Sequence, residues 1–240
     1  MESRDRVIVA LDVADGAAAL ALVGALGDEI SYYKVGLQLF TAAGAEIVRT
    51  LKRHNKRVFL DLKFHDIPNT VAGAVGSVVS LGVDMLTIHA AGGRAMIEAA
   101  VKAAAQAEQS PVVLAVTVLT SIDEGTLKST GIADSPQEQV LRLAKLAVEA
   151  GAGGLVCSPQ EVAAVRGNVG GRTKLVVPGI RPAGSAVGDQ ARVATPASAI
   201  DDGADYLVVG RPITAAADPA TAARAIVAEI SSATTGSPAR

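Results

Sequence analysis

Short runs of β-branched and aliphatic residues recur along the chain, each followed by an alanine-rich stretch with helical spacing. The apolar runs predict strands at Val7–Leu11, Tyr32–Val35, Val58–Lys63, Met85–His89, Val112–Val116, Gly154–Val156, Leu175–Val177 and Tyr206–Val209. Between them, Ala19, Leu22, Val23 and Leu26 share one helical face, and Val140, Leu143, Ala144 and Ala147 repeat that spacing between Pro136 and Ala150. Eight such units in 240 residues average about 30 residues each, near the smallest βαβ step. Strands that are apolar without a break belong in a parallel sheet covered on both faces, and eight units close into an α/β fold, the (β/α)8 or TIM barrel. An open doubly wound sheet is the competitor, but Leu11 is followed by Asp12-Val13-Ala14-Asp15 rather than a G-x-G-x-x-G turn. No linker divides the chain, so residues 1–240 read as one barrel domain, with a frayed tail from Ser231 to Arg240.

Composition narrows the function classes. Half the residues are hydrophobic, enough for a sizeable core, and a formal net charge of -2 offers no basic footprint for nucleic acid or a membrane surface. No apolar run reaches the roughly 18 residues of a membrane span, and the charged start MESRDR is not expected to act as a secretory signal. The single cysteine, Cys157, cannot pair within the chain and fits a reducing cytoplasm.

Barrel enzymes carry their chemistry at the C-terminal ends of the strands. Here those ends hold Asp12, Lys34, Asp61, Lys63 and, after the last strand, Arg211. Asp61 and Lys63 lie two apart on the third strand and so share a face, with Asp66 in the turn beyond and Pro68 opening the next helix. A carboxylate beside a lysine in a sheltered site keeps the lysine protonated, and a cationic lysine is a ready general acid. The plain alternative is an ion pair at the rim. Following the seventh strand, Pro178-Gly179-Ile180-Arg181 opens a Gly-containing loop that runs past Gly184 and Gly188 to Gln190, and the eighth strand ends in Gly210-Arg211. Barrels often bind phosphate with these two loops, and an arginine suits bidentate phosphate contact. Bottom-up, the pattern describes a barrel enzyme for a phosphorylated small molecule; a surface loop without a ligand is the alternative.

His54, His65 and His89 lie on separate segments without metal-ligand spacing, so no metal site is expected, and Cys157 lacks a matched base. Gly151, Gly153 and Gly154 read as a turn before a strand, and Met85 and Met96 as core.

The run Asp61-Leu62-Lys63-Phe64-His65-Asp66-Ile67-Pro68-Asn69-Thr70 resembles the signature of the orotidine 5'-phosphate decarboxylase family, with no departure from it. Leu11-Asp12, Tyr33-Lys34-Val35-Gly36, Val118-Leu119-Thr120-Ser121, Pro178-Gly179-Ile180-Arg181 and Val209-Gly210-Arg211-Pro212 extend the resemblance over essentially the whole chain. It implies a cofactor-free homodimer that makes uridine 5'-phosphate and carbon dioxide from orotidine 5'-phosphate. Lys63 would donate a proton to C6, Asp61 would sit against the substrate carboxylate, and Lys34 would hold that pair and contact the ribose. Asp12 would bind a ribose hydroxyl, and Thr120 the pyrimidine region. Asp66, with Ile67 and Thr70, would reach into the neighbouring subunit's site. Arg181, Gln190, Gly210 and Arg211 would bind the 5'-phosphate. Two other functions compete with this one. A metal-dependent keto-sugar-phosphate decarboxylase of the same barrel group is opposed by Ile67-Pro68-Asn69-Thr70. A non-catalytic phosphate-ligand-binding barrel would be expected to lack Lys63 or Asp66.

Overall fold

Alternation along each strand sorts its side chains into two shells. The computed structural model, described here over residues 1–182 and 194–236, places eight parallel strands in a closed barrel in sequence order. These are β1 (Val7–Ala10), β2 (Tyr32–Gly36), β3 (Arg57–Phe64), β4 (Met85–His89), β5 (Val112–Val116), β6 (Gly154–Val156), β7 (Lys174–Val177) and β8 (Tyr206–Val209). Closure is made by β8 on β1, with Val7 opposite Leu207 and Val9 opposite Val209.

Ile8, Ala10, Tyr32, Phe59, Met85, Leu114, Val176, Tyr206 and Val208 point inward and fill the barrel. Their strand neighbours, among them Val7, Val9, Val35, Leu60 and Leu86, face outward and pack under the surrounding helices. Each shell removes apolar surface from water on one face of the sheet, so strands apolar at both phases suit a barrel covered by helices. Gly154 is the inward residue of β6, and a Cβ there would lie 2.6 Å from both Leu114 Cδ2 and the Lys174 carbonyl oxygen. Close approach across the sheet, rather than a turn, accounts for that glycine; the turn is at Gly151, with φ +90°.

Helix starts follow local chemistry. Asp15 caps the helix Gly16–Leu26 by accepting from the Ala18 N–H, and Ser135 with Glu138 forms a capping box ahead of Pro136–Glu149. Pro68 opens Pro68–Val79. The last helix, Pro219–Gly236, continues through Ser231 and Ser232, past the point where the sequence reading begins a frayed tail. Those hydroxyls donate to the Val227 and Ala228 carbonyls four residues back, and Ile230 is fully buried, so the helix is held there by side chains of its own. Among the described residues, no helix is long and apolar enough to cross a membrane.

Candidate active site

The inward phase that carries apolar residues through the barrel turns polar at the C-terminal mouth. Ile8 and Ala10 lead to Asp12, Tyr32 leads to Lys34, and Phe59 leads to Asp61 and Lys63. These four charged residues line a mouth cavity of about 320 Å³, with Val116, Val118 and Cys157 as apolar wall and Thr120, Arg181 and Gly210 on the rim. Cys157 therefore does more than fill core: buried itself, it also faces the cavity.

The charges form a chain of alternating sign. Lys34 Nζ lies 2.9 Å from Asp12 Oδ1 and 3.5 Å from Asp61 Oδ2, and Lys63 Nζ donates to Asp61 Oδ1 at 2.8 Å. Each carboxylate oxygen of Asp61 thus faces a different ammonium. Burial pushes the Asp61 carboxyl up, but the Lys34 and Lys63 cations and hydrogen bonds from Lys63 and Thr87 outweigh it, and the group is held below the usual carboxylate range. Asp61 is therefore ionised at neutral pH. Room for the chain depends on Gly36, because a Cβ there would lie 2.9 Å from Lys34 Nζ and 3.4 Å from Asp12 Oδ1.

Elsewhere on the rim, Pro178, Gly179 and Arg181 follow β7, and Gly210 leads into Arg211–Thr214. Burial, and then the neighbouring Arg211 cation, lower the Arg181 pKa. Two guanidinium groups close enough to oppose each other's charge form a site that an anion relieves. Gln190, together with Gly184 and Gly188, lies outside the described residues.

Asp66, Ile67 and Thr70 do not join the cavity of their own chain. All three are exposed, Ile67 at 67%, and Asp66 Oδ1 accepts the Ile67 N–H at 2.7 Å. Leu37, after the adjacent strand β2, is 58% exposed at the same end of the barrel. His65 stacks against His89 with centroids 5.3 Å apart, which ties the motif to the end of β4. Burial, then the charges of His65 and Lys63, depress the His89 pKa. Among the described residues, no group of three or more His, Cys, Asp and Glu side chains comes together as a metal site.

Sequence reasoning missed Thr87. Its hydroxyl is fully buried beside Asp61 and Lys63. The available signal was its phase: Met85, Thr87 and His89 alternate on β4, so a polar side chain falls at an inward position beyond the apolar Met85.

Comparison with known proteins gives a concordant set of similarities. Residues 5–226 match the family described as Orotidine 5'-phosphate decarboxylase / HUMPS family. The orotidine 5'-phosphate decarboxylase of Moorella thermoacetica is 56% identical over 236 residues, covering 96% of this chain and 94% of that protein. The enzyme of the same name from Anaeromyxobacter sp. strain K is 56% identical over 228 residues, covering 95% and 99%. The crystal structure of orotidine 5'-phosphate decarboxylase from Lactobacillus acidophilus superposes with a TM-score of 0.85 at 40% identity, covering 94% of this chain and 99% of that one.

Proposed function

We propose, from the premise that this chain belongs to the orotidine 5'-phosphate decarboxylase family and converts orotidine 5'-phosphate to uridine 5'-phosphate and carbon dioxide, that Lys63 supplies the proton that replaces the departing carboxylate. The observation that carries this reading is the Asp12–Lys34–Asp61–Lys63 chain lining the cavity.

When the C6–carboxylate bond breaks, its electron pair stays on C6 and carbon dioxide leaves. Lys63 Nζ then gives a proton to C6 and regains one from solvent. The ammonium acts before that transfer as well, since a fixed cation stabilises negative charge as it develops on carbon. Asp61 orients the Lys63 ammonium, while Lys34 offsets the charge of Asp61. Without those cations, a buried carboxylate beside the substrate carboxylate would repel it strongly. Asp12, 59% exposed at the outer end of the chain, suits a ribose hydroxyl, and Thr120 on the rim suits the pyrimidine.

Arg181, Gly210 and Arg211, with Gln190, hold the 5'-phosphate. Binding energy gained at that remote group offsets the cost of desolvating the reacting centre. General acid catalysis alone supplies about 10²–10⁴-fold, so the preorganised charges and exclusion of water carry the rest of a large rate enhancement.

The working unit is a homodimer in which Asp66, Ile67 and Thr70 complete the partner's site. Its support is the exposure of all three outside their own cavity and the apolar surface of Ile67 and Leu37 at the same end of the barrel. A reducing cytoplasm suits a chain whose single cysteine is buried.

The test follows the ultraviolet absorbance of orotidine 5'-phosphate as it is consumed in excess EDTA, with the parent protein and Lys63→Ala side by side. Rapid conversion by the parent, with kcat lowered at least about 10³-fold in the variant, is expected. Parent-like turnover by Lys63→Ala would remove Lys63 from the chemistry.

A further inference from the structure

The strands β3 and β4 do not pair evenly. Leu60 stands opposite Leu86 and Phe64 opposite Ile88, so Asp61, Leu62 and Lys63 face Thr87 alone. The irregularity bends the strand where the charged residues sit, and Lys63 takes a left-handed backbone with φ 51°. A bulge of this kind withdraws a backbone N–H from the regular ladder. The Lys63 N–H instead donates to Thr87 Oγ1 at 2.9 Å.

That bond decides what the hydroxyl does next. A backbone N–H can only donate, so Thr87 Oγ1 is its acceptor and keeps its own proton for another partner. The partner is Asp61 Oδ1, at 3.0 Å, the same oxygen that accepts from Lys63 Nζ at 2.8 Å. A closed loop results, from the Lys63 backbone through Thr87 to Asp61 and back to the Lys63 ammonium. Thr87 has no exposed surface, so water does not compete for either bond.

We propose that the Thr87 hydroxyl is a positioning group for this reaction, fixing the Lys63 backbone and the Asp61 carboxylate together so that the Lys63 ammonium meets C6 in one orientation. The inference rests on the reading of Lys63 as proton donor. Thr87 does not line the cavity and acts only through the two residues it joins. A side chain held at two points loses little further freedom at the moment of reaction, and small displacements of a catalytic group are costly in rate.

The test compares Thr87→Val, which keeps shape and branching but lacks the hydroxyl, with Thr87→Ser, which keeps the hydroxyl and loses the methyl. Thr87→Val should lower kcat by about ten- to hundredfold with little change in KM, the loss expected when a hydrogen bond to a charged group is removed. Its acid limb should move to higher pH, because Asp61 loses one of the donors that favour its ionised form. Thr87→Ser should recover most of the rate. A group important only for packing would show the reverse order, with serine the poorer substitute and the pH limb unmoved.

Folded Thr87→Val with parent-like kcat and an unmoved acid limb overturns the proposal. If that variant does not fold, amide hydrogen exchange on the parent decides, since the Lys63 N–H should be strongly protected and exchange at the rate of an exposed loop overturns it too. Lys63→Ala run alongside separates the two readings. Activity retained there defeats Lys63 as donor, whereas activity lost there and kept in Thr87→Val defeats only the positioning role.

Discussion

A left-handed backbone costs a residue with a side chain about 1–2 kcal/mol and glycine almost nothing, and Lys63 pays that cost inside a strand. The conformation is tolerated because the Thr87 hydroxyl accepts the amide that the bulge frees and because Asp61 draws the ammonium inward. Strain at the proposed proton donor can be separated from its chemistry by comparing two variants that both lack the amine. Lys63→Gly should be more stable to urea than Lys63→Ala by about 0.5–1 kcal/mol, the relieved strain outweighing glycine's larger unfolded-state entropy. An alanine variant more stable than the glycine one by about 0.5–1 kcal/mol, glycine's unfolded-state entropy acting alone, would mean that the backbone at Lys63 is not strained. At this scale the sequence was readable where alternation decides the answer. Asp61 and Lys63 lie two apart, and both reach the cavity. The bulge was not readable, and although its phase on β4 marks Thr87 as inward, its partners depend on how residue 87 aligns with residues 61–63 on another strand, a register that no spacing within either segment encodes.

At the scale of elements, the end of the barrel opposite the cavity is stapled by carboxylates. Asp84, just ahead of β4, accepts the Val58 N–H at 2.7 Å and Lys52 Nζ at 2.9 Å, tying the start of β3 to its neighbour. Asp205, just ahead of β8, repeats the arrangement with the Leu175 N–H at 2.8 Å and Arg166 Nη2 at 2.6 Å. Both are largely but not fully buried, so each staple belongs at the lower end for a hydrogen bond to a charged group. Asp84→Ala should cost about 1.5 kcal/mol of stability while leaving kcat/KM within about twofold of the parent, because stability and chemistry occupy opposite ends of a barrel. Thermal melting and steady-state kinetics on the same preparation check this; a drop in kcat/KM matching the loss of stability would tie the staple to the site. Strand positions were legible because apolar runs broken by turns map directly onto a sheet buried on both faces. The exceptions follow from partners elsewhere in the chain. β3 runs on to Phe64 through its bulge, and Gly154 is small because Leu114 and Lys174 crowd it.

For the whole molecule, the decisive question is why the family's signature run splits between two places. Asp61 and Lys63 face the cavity, whereas Asp66, Ile67 and Thr70 lie exposed outside it. Periodicity could place the first pair, but nothing in one chain's pattern shows what the exposed residues meet, and only the family resemblance supplied a second subunit. In a dimer with shared sites, a Lys63→Ala subunit retains Asp66 and an Asp66→Ala subunit retains Lys63. Pairing the two gives one site with both changes and one site with neither. Mixed and reassembled in equal amounts at random, half the dimers are heterodimers, so the mixture should regain about a quarter of parental activity although each variant alone has little. Dilution should abolish the gain as dimers dissociate. If instead Asp66 served only its own subunit, every site in the mixture would carry one defect, and activity would equal the average of the two variants at every ratio. Varying the ratio sharpens the distinction, since shared sites give a maximum at equal amounts and separate sites give a straight line.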